Sequence, residues 1–129
     1  MAEPRWLAVD AVTLLNEAEV AESGGTSLVD PDAVGSVLGE VQRRWTIDGE
    51  RDAVRLAVAH LTAILRIRPF AARNRATGMA VLVMFLEANG YCWSGPDGPV
   101  LAAYVNALAE GRYTEEGLAE TMRPDIFPA

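Results

Sequence analysis

At 129 residues, 50% of them hydrophobic and 22% charged, the chain is long enough to bury a sizeable core and is expected to form one domain over residues 1–129. It has no run of about 18 apolar residues to span a membrane, a single cysteine excludes an internal disulfide framework, and one histidine beside that cysteine argues against a zinc site. A net charge of −7 argues against nucleic acid as a partner, and the opening Met-Ala-Glu-Pro-Arg-Trp lacks a basic stretch followed by an apolar core, so the expected compartment is the cytoplasm.

The elements follow from spacing and punctuation. Trp6, Val9, Val12 and Leu15 recur at helical period, so a first helix is expected over Arg5 to Glu22, stopped by Ser23-Gly24-Gly25. Thr26 to Val29 lies between Gly and Asp30-Pro31 and suits a short extended flap. Asp30 as N-cap and Pro31 at the first helical position start a second helix to about Trp45, with Val34, Val37, Leu38 and Val41 inward. Thr46 to Gly49 is a turn. A third helix over Glu50 to Ile67 carries Val54, Val58, Leu61 and Leu65 on one face.

Pro69 prevents that helix from continuing. The next, up to Asn89-Gly90, is apolar nearly all round (Gly-Met-Ala-Val-Leu-Val-Met-Phe-Leu-Glu-Ala), the pattern of a helix buried on most sides. Tyr91 to Pro99 is dense in turn formers and reads as a connector, its aromatics folded back on the core. Pro99 to Glu110 is a fifth helix with Leu101, Tyr104, Val105 and Leu108 on one side, and Thr114 caps a short last helix reaching Arg123-Pro124. The fold class is all-α: about six helices around a buried central one, with a short β flap.

Charge is unevenly spread along this order. Arg43 to Ala76 holds eight of the eleven arginines against Asp48, Glu50 and Asp52 only. Arg66, Arg68, Arg73 and Arg75 stand in the loop that opens the central helix, with no acid between Arg66 and Ala76. A helix N-terminus offers unpaired N–H groups and the positive end of a dipole, so this loop suits a phosphate or carboxylate. Pro69 and Phe70 read as structural, one breaking the helix and the other plugging the loop into the core. Asn74 caps the helix or offers its amide to a ligand, and the two roles are compatible. His60 is expected at the core edge, Trp6, Trp45 and Trp93 as core anchors, and Cys92 as a buried small hydrophobe.

The segment Arg68-Pro69-Phe70-Ala71-Ala72-Arg73-Asn74-Arg75-Ala76-Thr77, followed by a buried helix ending Phe85-Leu86-Glu87-Ala88-Asn89-Gly90, resembles the Fic/Doc (Fido) family, and specifically its small Doc-type toxins. That family's signature runs His-Pro-Phe-x-Asp-Gly-Asn-Lys-Arg-Thr before a helix ending Phe-Leu-x-x-Asn-Gly. The resemblance implies a helical fold, a nucleotide-binding loop, transfer of a nucleotidyl or phosphoryl group to a protein hydroxyl, and an antitoxin as partner. It also marks where this sequence departs. The motif His, the family's general base, is Arg68, which has no proton-accepting form near neutrality. The acid that holds Mg²⁺ is Ala72, so Mg²⁺ is not expected. The Gly of the phosphate nest is Arg73, where a left-handed backbone costs roughly 1 kcal/mol or more, and the last motif Arg is Ala76.

The sequence therefore points to a Doc-like protein with a degenerate motif. Its expected anion or nucleotide site is Arg68, Arg73, Asn74, Arg75 and Thr77, and its expected ligand is phosphorylated or carboxylated. Two other functions stay open. One is an active transferase, which would draw its base and metal ligand from His60, Asp30 or Asp32, or a repurposed catalyst in which the arginine cluster stabilises a developing anion. A partner-binding module would engage an antitoxin-like protein along Thr26 to Val29.

Overall fold

The computed structural model describes residues 2–129. Six α-helices are found among them: α1 (Val9–Glu22), α2 (Pro31–Thr46), α3 (Ala53–Ile67), α4 (Asn74–Ala88), α5 (Gly98–Ala109) and α6 (Glu115–Met122). Strand β1 (Tyr91–Trp93) follows α4, and β2 (Ile126–Pro128) follows a single 3-10 turn over Arg123–Asp125. The class is all-α with a small antiparallel ribbon. No helix among the described residues is long and apolar enough to cross a membrane.

Caps set the helix starts. Asp30 Oδ1 accepts from the N–H groups of Asp32 and Ala33 at 3.1 and 3.2 Å, so α2 opens at Pro31 as expected. Asp52 does the same for Val54 and Arg55, which moves the start of α3 from the expected Glu50 to Ala53. Thr114 Oγ1 accepts from Gly117 N–H at 2.9 Å and opens α6. The first helix starts later than its periodicity suggests. Arg5 donates its N–H to Asn89 Oδ1 at 2.8 Å and Trp6 packs on Phe85 with ring centroids 5.9 Å apart, so tertiary contacts hold this stretch out of the helix up to Ala8.

α3 and α4 form the centre. Two apolar clusters share them: one gathers Leu56, Leu61, Leu82, Phe85 and Leu86 with Leu118 and Met122 of α6, the other Ala63, Ile64 and Val81 with Val12 of α1 and Val37 of α2. Burial of such side chains contributes roughly 1.5–3 kcal/mol each. The two clusters lie on different sides of the helix pair, which is why α4 is apolar around most of its circumference.

Three expectations are corrected. Tyr91 to Trp93 is a strand and not merely a connector, with Tyr91 opposite Pro128, Cys92 opposite Phe127 and Trp93 opposite Ile126. Its partner strand is the extended segment Ile126–Pro128, which follows the 3-10 turn after α6. Cys92 is exposed, because alternation along β1 turns Tyr91 and Trp93 toward the core and the residue between them away. His60 is fully buried rather than at the core edge. Trp6, Trp45 and Trp93 are partly buried against the first cluster.

Candidate functional site

The loop between α3 and α4 is bounded by two arginines in left-handed backbone conformation. Arg68 (φ 54°, ψ 61°) ends α3, its N–H bonding Ile64 O at 2.8 Å, and Arg73 (φ 65°, ψ 32°) is the N-cap of α4. They are the only non-glycine residues with positive φ among those described. Each such conformation costs on the order of 1 kcal/mol, and Arg68 also precedes a proline, which disfavours it further. Strain of this kind persists only where the surroundings over-determine it.

Those surroundings are specific. Phe70 is buried and pairs with Val29 in an isolated antiparallel bridge, with Asp30 N–H bonding Pro69 O and Ala71 N–H bonding Leu28 O, both at 3.0 Å. The extended flap thus lies against the loop. Asn74, the first residue of α4, turns its side chain back: Nδ2 donates to Phe70 O at 2.8 Å and Oδ1 accepts from Phe70 N–H at 3.2 Å. Asn74 is therefore a brace across the loop, and neither the N-cap of the helix nor a free amide. Asn16 of α1, fully buried, donates to Ala72 O and to Thr77 Oγ1, both at 3.0 Å, and accepts from Ser27 Oγ of the flap.

Held in this way, the loop faces a concavity of about 480 Å³ between the first turns of α4 and α5. Arg68, Arg73 and Arg75 line it on the loop side, and Ala76, Met79, Leu101 and Val105 are among the residues that give it apolar walls. Arg73 also reaches Glu19 of α1 at 3.2 Å, and Arg75 donates to Asn106 Oδ1 of α5 at 2.6 Å. Arg68 has no side-chain partner among the described residues. No side chain caps α4, so the N–H groups of its first turn stay available. A left-handed residue followed by a helical one turns successive N–H groups toward one point, a geometry complementary to an anion.

Of the expected site residues, Arg68, Arg73, Asn74 and Arg75 all line this concavity. Thr77 is fully buried and its hydroxyl is engaged by Asn16. Arg66 points elsewhere and pairs with Glu40 of α2. His60, Asp30 and Asp32 are absent from the lining. His60 sits in the core with its ring centroid 4.5 Å from that of Phe85, and Asp30 is spent on capping α2. The Mg²⁺ that the resemblance attaches to this loop needs oxygen ligands. The lining has no carboxylate, and no group of three His, Cys, Asp or Glu among the described residues is placed to hold a metal, so the donor set does not fit.

Asn16, Glu19 and Asn106 were not singled out by the sequence. Asn16 carried a faint signal, a polar residue four positions after Val12 on the inward face of an apolar helix. The other two carry none, because their contacts depend on how distant helices pack.

No family model matches the chain. Among characterised proteins it is similar to Protein kinase doc of Escherichia phage P1, with 26% identity over 120 residues that cover 92% of this chain and 94% of that protein.

Proposed function

We propose that this chain is a Doc-like protein that binds an anionic group at Arg68, Arg73 and Arg75, and that the phosphoryl or nucleotidyl transfer of its relatives has been lost or rebuilt. The observation that carries this reading is that the two left-handed arginines both line the same concavity. A strained backbone retained where glycine would relieve it is hard to account for unless the guanidinium groups are needed there. Arginine forks and unpaired N–H groups bind phosphate and carboxylate oxygens by charge-assisted hydrogen bonds. The departures at Arg68 and Ala72 remove the proton acceptor and the metal ligand of the motif, so the proposed role is binding.

Isothermal titration of the protein with inorganic phosphate and nucleotides, in the absence of Mg²⁺, tests it. Binding that falls at least ten-fold in Arg68→Gln is expected, and no heat with any of these anions would refute the reading.

Similarity to a protein named as a kinase over nearly the whole chain favours a second reading, an active transferase that modifies a protein. Transfer of label from nucleotide to a protein in cell extract, abolished by Arg68→Ala, would establish it over binding alone. In either case the proposed partner is an antitoxin-like protein bound along the flap, where Leu28 is 67% exposed.

A further inference from the structure

The concavity presents its occupant with two unlike surfaces, guanidinium groups on the loop side and aliphatic side chains on the other. From this we infer that its ligand is a small molecule with one compact anionic head, a carboxylate or monophosphate, on an apolar body, and not a nucleotide. The inference rests on the anion-binding function proposed above and narrows it to a ligand class.

The lining contains no aromatic side chain, so a base would find no face to stack on. Its only uncharged polar side chains are Asn74 and Asn106. Asn74 has both ends of its amide committed to Phe70, and Asn106 Oδ1 is taken by Arg75. A ribose and a base would give up hydrogen bonds to water against Met79, Leu101 and Val105 and regain few, which is the usual way a site rejects a polar ligand. The same walls reward methylene groups. No carboxylate is present to recruit a cation against a triphosphate, and with Arg73 on Glu19 and Arg75 on Asn106, Arg68 is the guanidinium with no side chain to leave. One head group matches that supply of charge. The volume of about 480 Å³ lies in the range of small-molecule sites.

The test is isothermal titration of the intact protein without Mg²⁺, using inorganic phosphate, hexyl phosphate, hexanoate and ATP. Each buried methylene is worth roughly a four-fold gain in affinity, so hexyl phosphate with about three or four of its carbons buried should bind on the order of 100-fold more tightly than phosphate, with hexanoate also binding and ATP gaining nothing over phosphate. Arg68→Gln should weaken both hexyl ligands at least ten-fold. Leu101→Ser, or Ala102→Gln at an exposed lining position, should bring the affinity for hexyl phosphate closer to that for inorganic phosphate. Equal affinity for phosphate and hexyl phosphate, or tighter binding of ATP than of hexyl phosphate, would overturn the ligand class and leave anion binding standing. Absence of binding by all four would overturn both.

Discussion

Gly78 lies directly beneath Leu61: a Cβ placed on it would come within 2.7 Å of Leu61 Cδ1 and 3.5 Å of Ile64 Cγ2. This contact sets how closely α3 and α4 approach, and therefore where the loop between them is held. Alanine is the better helix former by about 1 kcal/mol, but overpacking a dense core costs typically 1–3 kcal/mol. Gly78→Ala is expected to destabilise the protein by about 1–2 kcal/mol in urea unfolding, whereas an open helical glycine such as Gly35, with nothing near its Cβ position, should gain stability on the same change.

Asn16 joins α1, the flap, the loop and α4 through one buried amide. Asn16→Ala leaves the buried Thr77 hydroxyl without its partner, at about 1–3 kcal/mol, removes the bonds to the Ala72 carbonyl and the Ser27 hydroxyl nearer the surface, and opens a gap in the packing. A loss of about 2–4 kcal/mol is expected. Hydrogen exchange of the Ala71 amide, which bonds Leu28 O, should accelerate beyond what the global loss explains.

His60 donates from Nδ1 to Leu56 O at 2.8 Å, while its Nε2 is buried without a partner. Burial disfavours the charged ring and pushes its pKa down from 6.5 to about 4. Between those values the unfolded chain takes up a proton that the folded chain refuses, so stability is full above about pH 6.5 and declines as pH falls toward 4. Over pH 6.5 to 5 the loss should be about 2 kcal/mol, a window in which ordinary carboxylates titrate little. Urea unfolding of His60→Leu should show a much flatter profile there.

At Arg73 stability and binding are expected to oppose one another. Arg73→Asn keeps a side chain that tolerates the left-handed region and relieves a cost on the order of 1 kcal/mol. Only an exposed ion pair to Glu19, worth little, is given up. The variant should melt a few degrees higher while its affinity for phosphate falls about ten-fold.

The helical order was legible because apolar spacing and cap residues act locally. Asp30-Pro31, Thr114 and the Pro69 break fall where their chemistry directs. The ribbon of Tyr91 to Trp93 with Ile126 to Pro128 was not legible, since its pairing joins segments separated by two helices and each strand is only three residues long. The loop arginines were identifiable from charge and position. The left-handed backbone was raised at Arg73 alone, by the motif glycine it replaces, and not at Arg68, because propensity argues against that conformation at arginine and the contacts that hold the loop, the bridge to Val29 and the Asn74 brace among them, are tertiary. The α5 wall of the concavity was equally hidden, since Leu101 and Val105 read simply as the apolar face of a helix.

Pairing between Val29 and Phe70 makes the number of residues from the end of α1 to the start of α2 a constraint in its own right. In an extended segment a shift of one position exchanges inside for outside. Deleting any one residue from 24 to 28 would bring Asp30 to where Val29 now packs, inserting one would bring exposed Leu28 there, and either would misalign the backbone groups that meet Pro69 and Ala71. Insertions there should be as poorly tolerated as changes in the motif itself, even though none of those five residues lines the concavity.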